Sequence, residues 1–129
     1  MYKPSEREES LATQIVDAAF AVHKTLGPGL LERVYEVCFC HELGKRQLKY
    51  LKQVDFPIHY DGIVFQEALR LDVLVDDLII CELKAVEQAI PLFEAQLMTY
   101  LKLTGRHLGF LINFNIPLIK NGIKRIIIK

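Results

Sequence analysis

The spacing of apolar residues changes along the chain, and these changes limit the fold class more than any other feature. Apolar residues recur at a helical period up to about residue 43 and then alternate, as in strands, over 49–85. The helical period returns over 91–103, and two further strand-like runs follow at 107–114 and 123–128. The order αα-βββ-α-ββ predicts an α+β fold, an α/β sandwich in which helices flank a central mixed sheet.

The N-terminal helical pattern is interrupted once, by Gly27-Pro28-Gly29, and therefore predicts two helices. The first begins at Ser5, an N-cap, and Glu8 stands where it completes a capping box. The second covers Leu30 to Leu43, and Gly44 is its predicted C-cap. The apolar stripe predicted for this second helix consists of Leu31, Val34, Val37 and Cys38.

Two turn signals divide the alternating segment into three strands. Asp61-Gly62 is a strong hairpin signal between strands over 49–60 and 63–75. Asp76-Asp77 marks the next turn, and the third strand runs over 78–85. Each turn predicts a hairpin, so neighbouring strands in this segment are expected to be antiparallel.

The composition is that of a globular protein without a strong net charge. Hydrophobic residues make up 51% of the 129 residues, which excludes a disordered chain and predicts a single domain over 1–129. The 16 basic and 16 acidic side chains cancel, so no global positive field attracts nucleic acid. The charged N-terminus lacks the apolar segment of a signal peptide, and no apolar run is long enough to span a membrane. We therefore expect a cytoplasmic protein with no membrane partner.

Charged residues interrupt two of the predicted strands. Asp72 lies in the second strand, and Glu82 and Lys84, two positions apart, leave the same face of the third. A Glu-x-Lys pair alone is typical of a structural ion pair or a solvated strand face. Asp72 changes this interpretation, because a hairpin centred on Asp77 pairs Asp72 directly with Glu82.

Two carboxylates in directly opposed positions repel one another. Such side chains lie ~5 Å apart, which at an effective dielectric constant of 20 costs ~3 kcal/mol. A divalent cation relieves the repulsion, and hard oxygen ligands favour Mg²⁺ or Mn²⁺. The pairing requires an odd loop such as 76–78, or a bulge, because a two-residue loop would place the carboxylates on opposite faces. We predict the odd loop.

Short motifs in the same order along the chain resemble the PD-(D/E)XK nuclease superfamily. Asp72 and Glu82-Leu83-Lys84 resemble its motifs II and III, although Leu71 stands where the superfamily name has proline. Residues 29–35 match Gly-x-x-Glu-x-x-Tyr, the signature of the GxxExxY family within that superfamily. Residues 96–100 match the Gln-x-x-x-Tyr helix motif of RecB-type exonuclease members. The resemblance implies a restriction-endonuclease-like core.

The resemblance also implies roles for individual residues. Asp72 and Glu82 would be metal ligands, together with the backbone carbonyl of Leu83. Glu32 would complete the coordination directly or through water. Lys84 would orient the attacking water and stabilise charge that develops on the phosphate. The implied cofactor is Mg²⁺ or Mn²⁺.

Gln96 and Tyr100, four positions apart, share a helix face and would hold Lys84 or the substrate phosphate. Tyr35 and His23 are weaker candidates for substrate contacts. Tyr35 is more typical of a core aromatic than of a catalytic residue, and His23 precedes the break between the first two helices.

Basic residues cluster in two places. Lys45, Arg46, Lys49 and Lys52 fall within eight residues, and a second cluster lies at 120–129. Local positive charge can contact phosphates without any net charge on the chain, so Lys45, Arg46 and Lys49 are candidate substrate-binding residues. A solvated face is the alternative interpretation of both clusters.

These observations favour a metal-dependent nuclease that hydrolyses phosphodiester bonds by metal-activated water attack. DNA as the substrate and partner follows only from the resemblance. The alternative is a binding or assembly module that keeps the nuclease fold with weak or no hydrolysis. A third possibility is hydrolysis of another phosphate ester, such as a nucleotide. A domain of this size holds little besides a catalytic core, so we also expect a homo-oligomer or a larger complex, for which the apolar residues 126–128 could supply an edge.

Overall fold

Three helices and five strands follow one another in the computed structural model, which describes residues 1–129. Their bounds are α1 Glu6–Leu26, α2 Glu32–Lys45, β1 Tyr50–Tyr60, β2 Ile63–Val75, β3 Ile79–Lys84, α3 Pro91–Thr104, β4 Leu108–Asn113 and β5 Ile123–Ile127. A short 3-10 helix, Ile119–Gly122, precedes β5. The order confirms the predicted arrangement and the α+β fold class.

The strands form a single sheet in the order β1-β2-β3-β4-β5. The first three strands are antiparallel, β4 is parallel to β3, and β5 is antiparallel to β4. The parallel step follows from α3, which carries the chain back across the sheet between β3 and β4. The sheet is therefore mixed, as predicted, with β1 and β5 at its edges.

Side chains on the two faces of the sheet enter two separate apolar cores. On one face, Val73 and Cys81 pack with residues of α1 and α2. On the other face, Leu74 and Ile80 pack with α3. None of the three helices has the length and the apolar composition needed to span a membrane.

The buried face of α2 differs from the predicted one. Leu31, where the predicted stripe begins, is 74% exposed, and Val34 and Val37 are exposed as well. The helix instead buries Tyr35 and Phe39, whose rings pack on Phe114 with centroids 4.7 Å and 6.4 Å away. Packing against this aromatic ring sets the rotation of the helix. The helix also continues through the glycine predicted to end it, as far as Lys45.

The hairpin between β1 and β2 forms as predicted. Asp61 and Gly62 have φ of 47° and 82°, the positive values that tight two-residue hairpin turns require. Between the pairs Ile58–Phe65 and Phe56–Leu69, β2 contains two more residues than β1. This bulge shifts the register, and Glu67 within it has a φ of 55°.

The loop between β2 and β3 has three residues, Asp76 to Leu78, as predicted. Val75 pairs with Ile79 and Val73 with Cys81, so the hairpin is centred on Asp77. Arg106 Nη2 binds Asp77 Oδ1 at 2.6 Å, which ties this loop to the segment that precedes β4. The predicted register of β2 and β3 is therefore confirmed from the loop as far as Val73 and Cys81, the pair next to Asp72 and Glu82.

Candidate functional site

Strands β2 and β3 separate at Asp72 and Glu82, and the two carboxylates bridge the gap. Regular pairing ends at Val73 and Cys81. Beyond it, the Asp72 N–H donates to Glu82 Oε2 at 2.9 Å, and the Leu83 N–H donates to Asp72 Oδ2 at 2.8 Å. Each side chain replaces a backbone partner that the other strand no longer supplies. The structure thus brings Asp72 and Glu82 together, as predicted.

The two carboxylates lie in an environment that disfavours their charge. Burial, and after it the neighbouring Asp72 carboxylate, raises the pKa of Glu82 to about 8. Burial also raises the pKa of Asp72, and Glu36 adds to this rise, while the Leu83 N–H and the Lys84 ammonium oppose it. Like charges and partial desolvation thus act together, which is typical of functional sites.

The Lys84 ammonium lies close enough to oppose the rise in the pKa of Asp72 and Glu82, but it forms no salt bridge to either carboxylate. Its Nζ lies 4.6 Å from the centroid of the Phe93 ring in α3, within the range of a cation–π interaction. Lys84 and Phe93 line a cleft of about 190 Å³ that also contains Asn113 and Lys124. The structural ion pair typical of an isolated Glu-x-Lys is therefore absent, and the ammonium faces an open cleft.

The two residues of the predicted helix motif, Gln96 and Tyr100, are both half-buried in α3. Burial raises the pKa of Tyr100, and the Glu82 and Asp72 carboxylates raise it further, so this side chain lies within electrostatic range of both. Gln96 is half-buried and makes no side-chain hydrogen bond. Lys84 contacts Phe93, and neither Gln96 nor Tyr100 forms a hydrogen bond to this lysine, so their predicted contact with the substrate phosphate stays a prediction.

Helix α2 brings two more carboxylates to the site. Glu32 is its first residue, and burial followed by repulsion from Asp72 raises the pKa of Glu32, while Lys84 lowers it. Glu36, one turn later on the same helix face, accepts a hydrogen bond from Gln53 Nε2 at 2.7 Å. Glu32 therefore lies within electrostatic range of Asp72, and its part in completing the coordination of a cation stays a prediction.

Three residues of this site were not predicted from the sequence. Glu36 follows Glu32 by four positions, and this helical spacing could have identified it. Phe93 precedes Gln96 by three positions and shares its helix face, which is a weaker signal of the same kind. No local pattern in the sequence could have identified Gln53, because its position opposite Asp72 depends on the register between β1 and β2.

Two of the weaker candidates lie elsewhere. Tyr35 is 0% exposed, and its hydroxyl donates to the Gly27 carbonyl at 2.6 Å and accepts from the Leu30 N–H at 3.1 Å. It closes the turn between α1 and α2, and this burial contradicts the expected substrate contact. His23 Nε2 lies 2.7 Å from the Ile116 carbonyl oxygen, in a separate cleft of about 470 Å³ between α1 and the loop before β5. The structure does not bring His23 to the carboxylates.

The first basic cluster is partly neutralised within the fold. Arg46 Nη1 binds Glu42 Oε1 at 2.8 Å, and Lys45 Nζ binds Glu42 Oε2 at 3.3 Å. Lys49 forms no salt bridge. Of the three predicted substrate-binding residues, Lys49 therefore has the charge that is most available to a phosphate.

The donor set at the gap fits a hard divalent cation. No three His, Cys, Asp or Glu side chains lie close enough to hold a metal ion without other ligands. Mg²⁺ retains several waters and is usually bound through one or two carboxylates, so Asp72 and Glu82 suffice. The Leu83 N–H points toward β2, and the carbonyl of a strand residue points the same way as its N–H. The gap between the strands therefore collects oxygen donors.

Comparisons with known proteins identify the superfamily and a similar fold. A family profile described as the PD-(D/E)XK nuclease superfamily matches residues 9–126. A crystal structure of the protein SSO0001 has a similar fold, with a TM-score of 0.56 and 20% sequence identity over 94% of this chain. The chain spans 60% of the length of that protein. No curated protein matches the sequence significantly. Because the family profile covers nearly the whole sequence, the chain belongs to the PD-(D/E)XK nuclease superfamily.

Proposed function

We propose that the chain is a metal-dependent nuclease that hydrolyses phosphodiester bonds in DNA at the Asp72–Glu82–Lys84 site. The observation that carries this proposal is the pair of strand carboxylates, hydrogen-bonded across the gap between β2 and β3, with an unpaired lysine beside them. Membership of a nuclease superfamily supports hydrolysis as the reaction. The predicted GxxExxY subfamily is consistent with Glu32 lying next to the strand carboxylates.

Asp72, Glu82 and the Leu83 carbonyl would hold Mg²⁺ or Mn²⁺, and Glu32 would bind one of its waters. Such a cation, when bound, supplies Lewis-acid activation of the phosphate and of the attacking water. Lys84 donates to a phosphate oxygen as negative charge develops there. Water attacks the phosphorus of the phosphodiester, and one of its two P–O ester bonds breaks. The products are a phosphate monoester and an alcohol.

Gln96 and Tyr100 would bind substrate from α3, since an amide and a phenol both donate to phosphate oxygens. Lys49 has no salt bridge within the fold and could contact a more distant phosphate.

The test is a Mn²⁺-supplemented cleavage assay with plasmid DNA, single-stranded DNA, RNA and nucleotides as separate substrates. Lys84→Ala should lower DNA cleavage about 100-fold or more. The matched control is Lys102→Ala, an exposed lysine of α3 that should leave the rate unchanged. Asp72→Ala should abolish Mn²⁺ binding measured by calorimetry.

Each alternative has its own outcome in this assay. Equal cleavage by the native chain and Lys84→Ala would indicate a contaminant or a different site. Mn²⁺ binding without cleavage of any substrate would favour a binding or assembly module. Turnover confined to the nucleotides would assign the site to a different phosphate ester.

A further inference from the structure

Gln53 has a backbone conformation that its strand does not explain. It lies inside β1 with a φ of 53°, in the left-handed region that residues with a Cβ rarely adopt. No residue is inserted here, because Lys52 pairs with Val73 and Val54 pairs with Leu71 in the same register. The strain at Gln53 is therefore not the consequence of a bulge.

The pair missing from this ladder is the one between Gln53 and Asp72. The register places them directly opposite each other, yet pairing is present only on either side of them. The Gln53 side chain instead donates from Nε2 to Glu36 Oε2 at 2.7 Å. The Gln53 side chain also lies close enough to Asp72 to oppose the rise that burial causes in the pKa of that carboxyl. Gln53 thus joins α2 to the strand that carries Asp72.

A carboxamide has the chemistry that this place requires. It has two N–H donors and no charge, so it can donate to Glu36 and Asp72 at the same time. A lysine would neutralise the carboxylates that a cation needs, and a glutamate would add to their repulsion. Backbone strain that persists next to a cluster of charged groups is typical of functional sites.

We propose that Gln53 is a positioning residue, which holds the Asp72 carboxylate between β2 and α2 in the orientation that receives a divalent cation. This inference rests on the proposed function and deepens it. Gln53 itself touches neither substrate nor the reacting atoms. It acts through Asp72 on one side and Glu36 on the other.

The test compares Gln53→Gly with a control at the other strained strand residue. Glycine adopts a φ of 53° without strain, so Gln53→Gly should raise the melting temperature while lowering Mn²⁺ affinity about tenfold, as loss of a residue that orients a ligand does. Glu67→Gly relieves the same strain in the bulge, where φ is 55°, and should raise the melting temperature with Mn²⁺ affinity unchanged. Gln53→Asn, which tolerates this backbone but is one methylene shorter, should also lose affinity.

Mn²⁺ affinity decides the result independently of cleavage. Native affinity in both Gln53→Gly and Gln53→Asn would overturn the positioning role, even if DNA cleavage fell. A native chain that binds Mn²⁺ without cleaving DNA would refute the nuclease proposal and leave the affinity comparison valid. A native chain that does not bind Mn²⁺ would overturn both.

Discussion

Two glutamates are almost equally withdrawn from solvent and have opposite pKa shifts. Glu8 in the first turn of α1 is 3% exposed, and Glu82 in β3 is 4% exposed. Burial raises the pKa of both side chains, but the Ser5 backbone and the Tyr2 hydroxyl hold the pKa of Glu8 below its ordinary value of 4.5. The pKa of Glu82 rises to about 8. Burial alone therefore does not determine how a carboxylate is used.

Glu82 lies deeper in the protein than Glu8, and the hydrogen-bond donors around the two side chains add to the difference in pKa. Glu8 Oε1 accepts from the Ser5 N–H at 2.8 Å and from the Tyr2 hydroxyl at 2.6 Å. Ser5 Oγ in turn accepts from the Glu8 N–H at 3.0 Å, which confirms the predicted capping box. Glu82 has one backbone donor and a second carboxylate beside it. Hydrogen bonds within the fold stabilise the charged form of Glu8. The charged form of Glu82 lacks such stabilisation, which a bound cation would supply.

The largest expected effect is on the cleavage rate, which should depend on Glu82 and not on Glu8. Glu82→Gln keeps the acceptor for the Asp72 N–H but removes the charge, so metal-dependent cleavage should fall about 100-fold or more. Glu8→Gln should keep native activity, because its carboxylate contributes only to the fold. Cleavage rates of both variants in Mn²⁺ measure the contrast. Full activity in Glu82→Gln would remove the functional distinction between them.

A smaller effect is expected in the pH dependence of stability without metal. The folded chain holds the proton of Glu82 more tightly than the unfolded chain, so this stabilisation is complete below pH 4.5 and is lost as the pH rises to about 8. The loss should be on the order of a few kcal/mol in urea unfolding with a chelator present. Glu82→Gln should flatten the decline, and Mg²⁺ should offset it in the native chain. If Glu82→Gln lost as much stability as the native chain over this pH range, the assignment of the decline to Glu82 would be contradicted.

The smallest effect concerns the capping box. Glu8→Ala should lower the free energy of unfolding by ~1 kcal/mol at neutral pH, as the loss of capping interactions does. Because the pKa of Glu8 is lowered in the folded chain, its contribution is present above pH 4.5 and is lost as the pH falls further. Urea unfolding of the native chain and Glu8→Ala at pH 6 and pH 3 measures this. If the free energy of unfolding differed more between the native chain and Glu8→Ala at pH 3 than at pH 6, the lowered pKa of Glu8 would be contradicted.

Local signals predicted part of the site, and distant contacts determined the rest. The odd loop after Val75 was predicted from the requirement that Asp72 and Glu82 share a face, and the observed register has it. The neighbour of Asp72 in β1 was not predictable. The Asp61-Gly62 turn alone would place Leu51 opposite Asp72, and the bulge in β2 shifts the register by two and places Gln53 there.

The amino-acid sequence by itself determined the order of elements, the hairpin register that joins Asp72 to Glu82, and the capping box of α1. These features depend on periodicity, parity and spacing, which act over a few neighbouring residues. Only the tertiary structure decided that α2 buries Tyr35, that Lys84 packs on Phe93, and that Gln53 joins α2 to β2. Those outcomes depend on which distant side chains fill the space around each element, and no local pattern encodes that space.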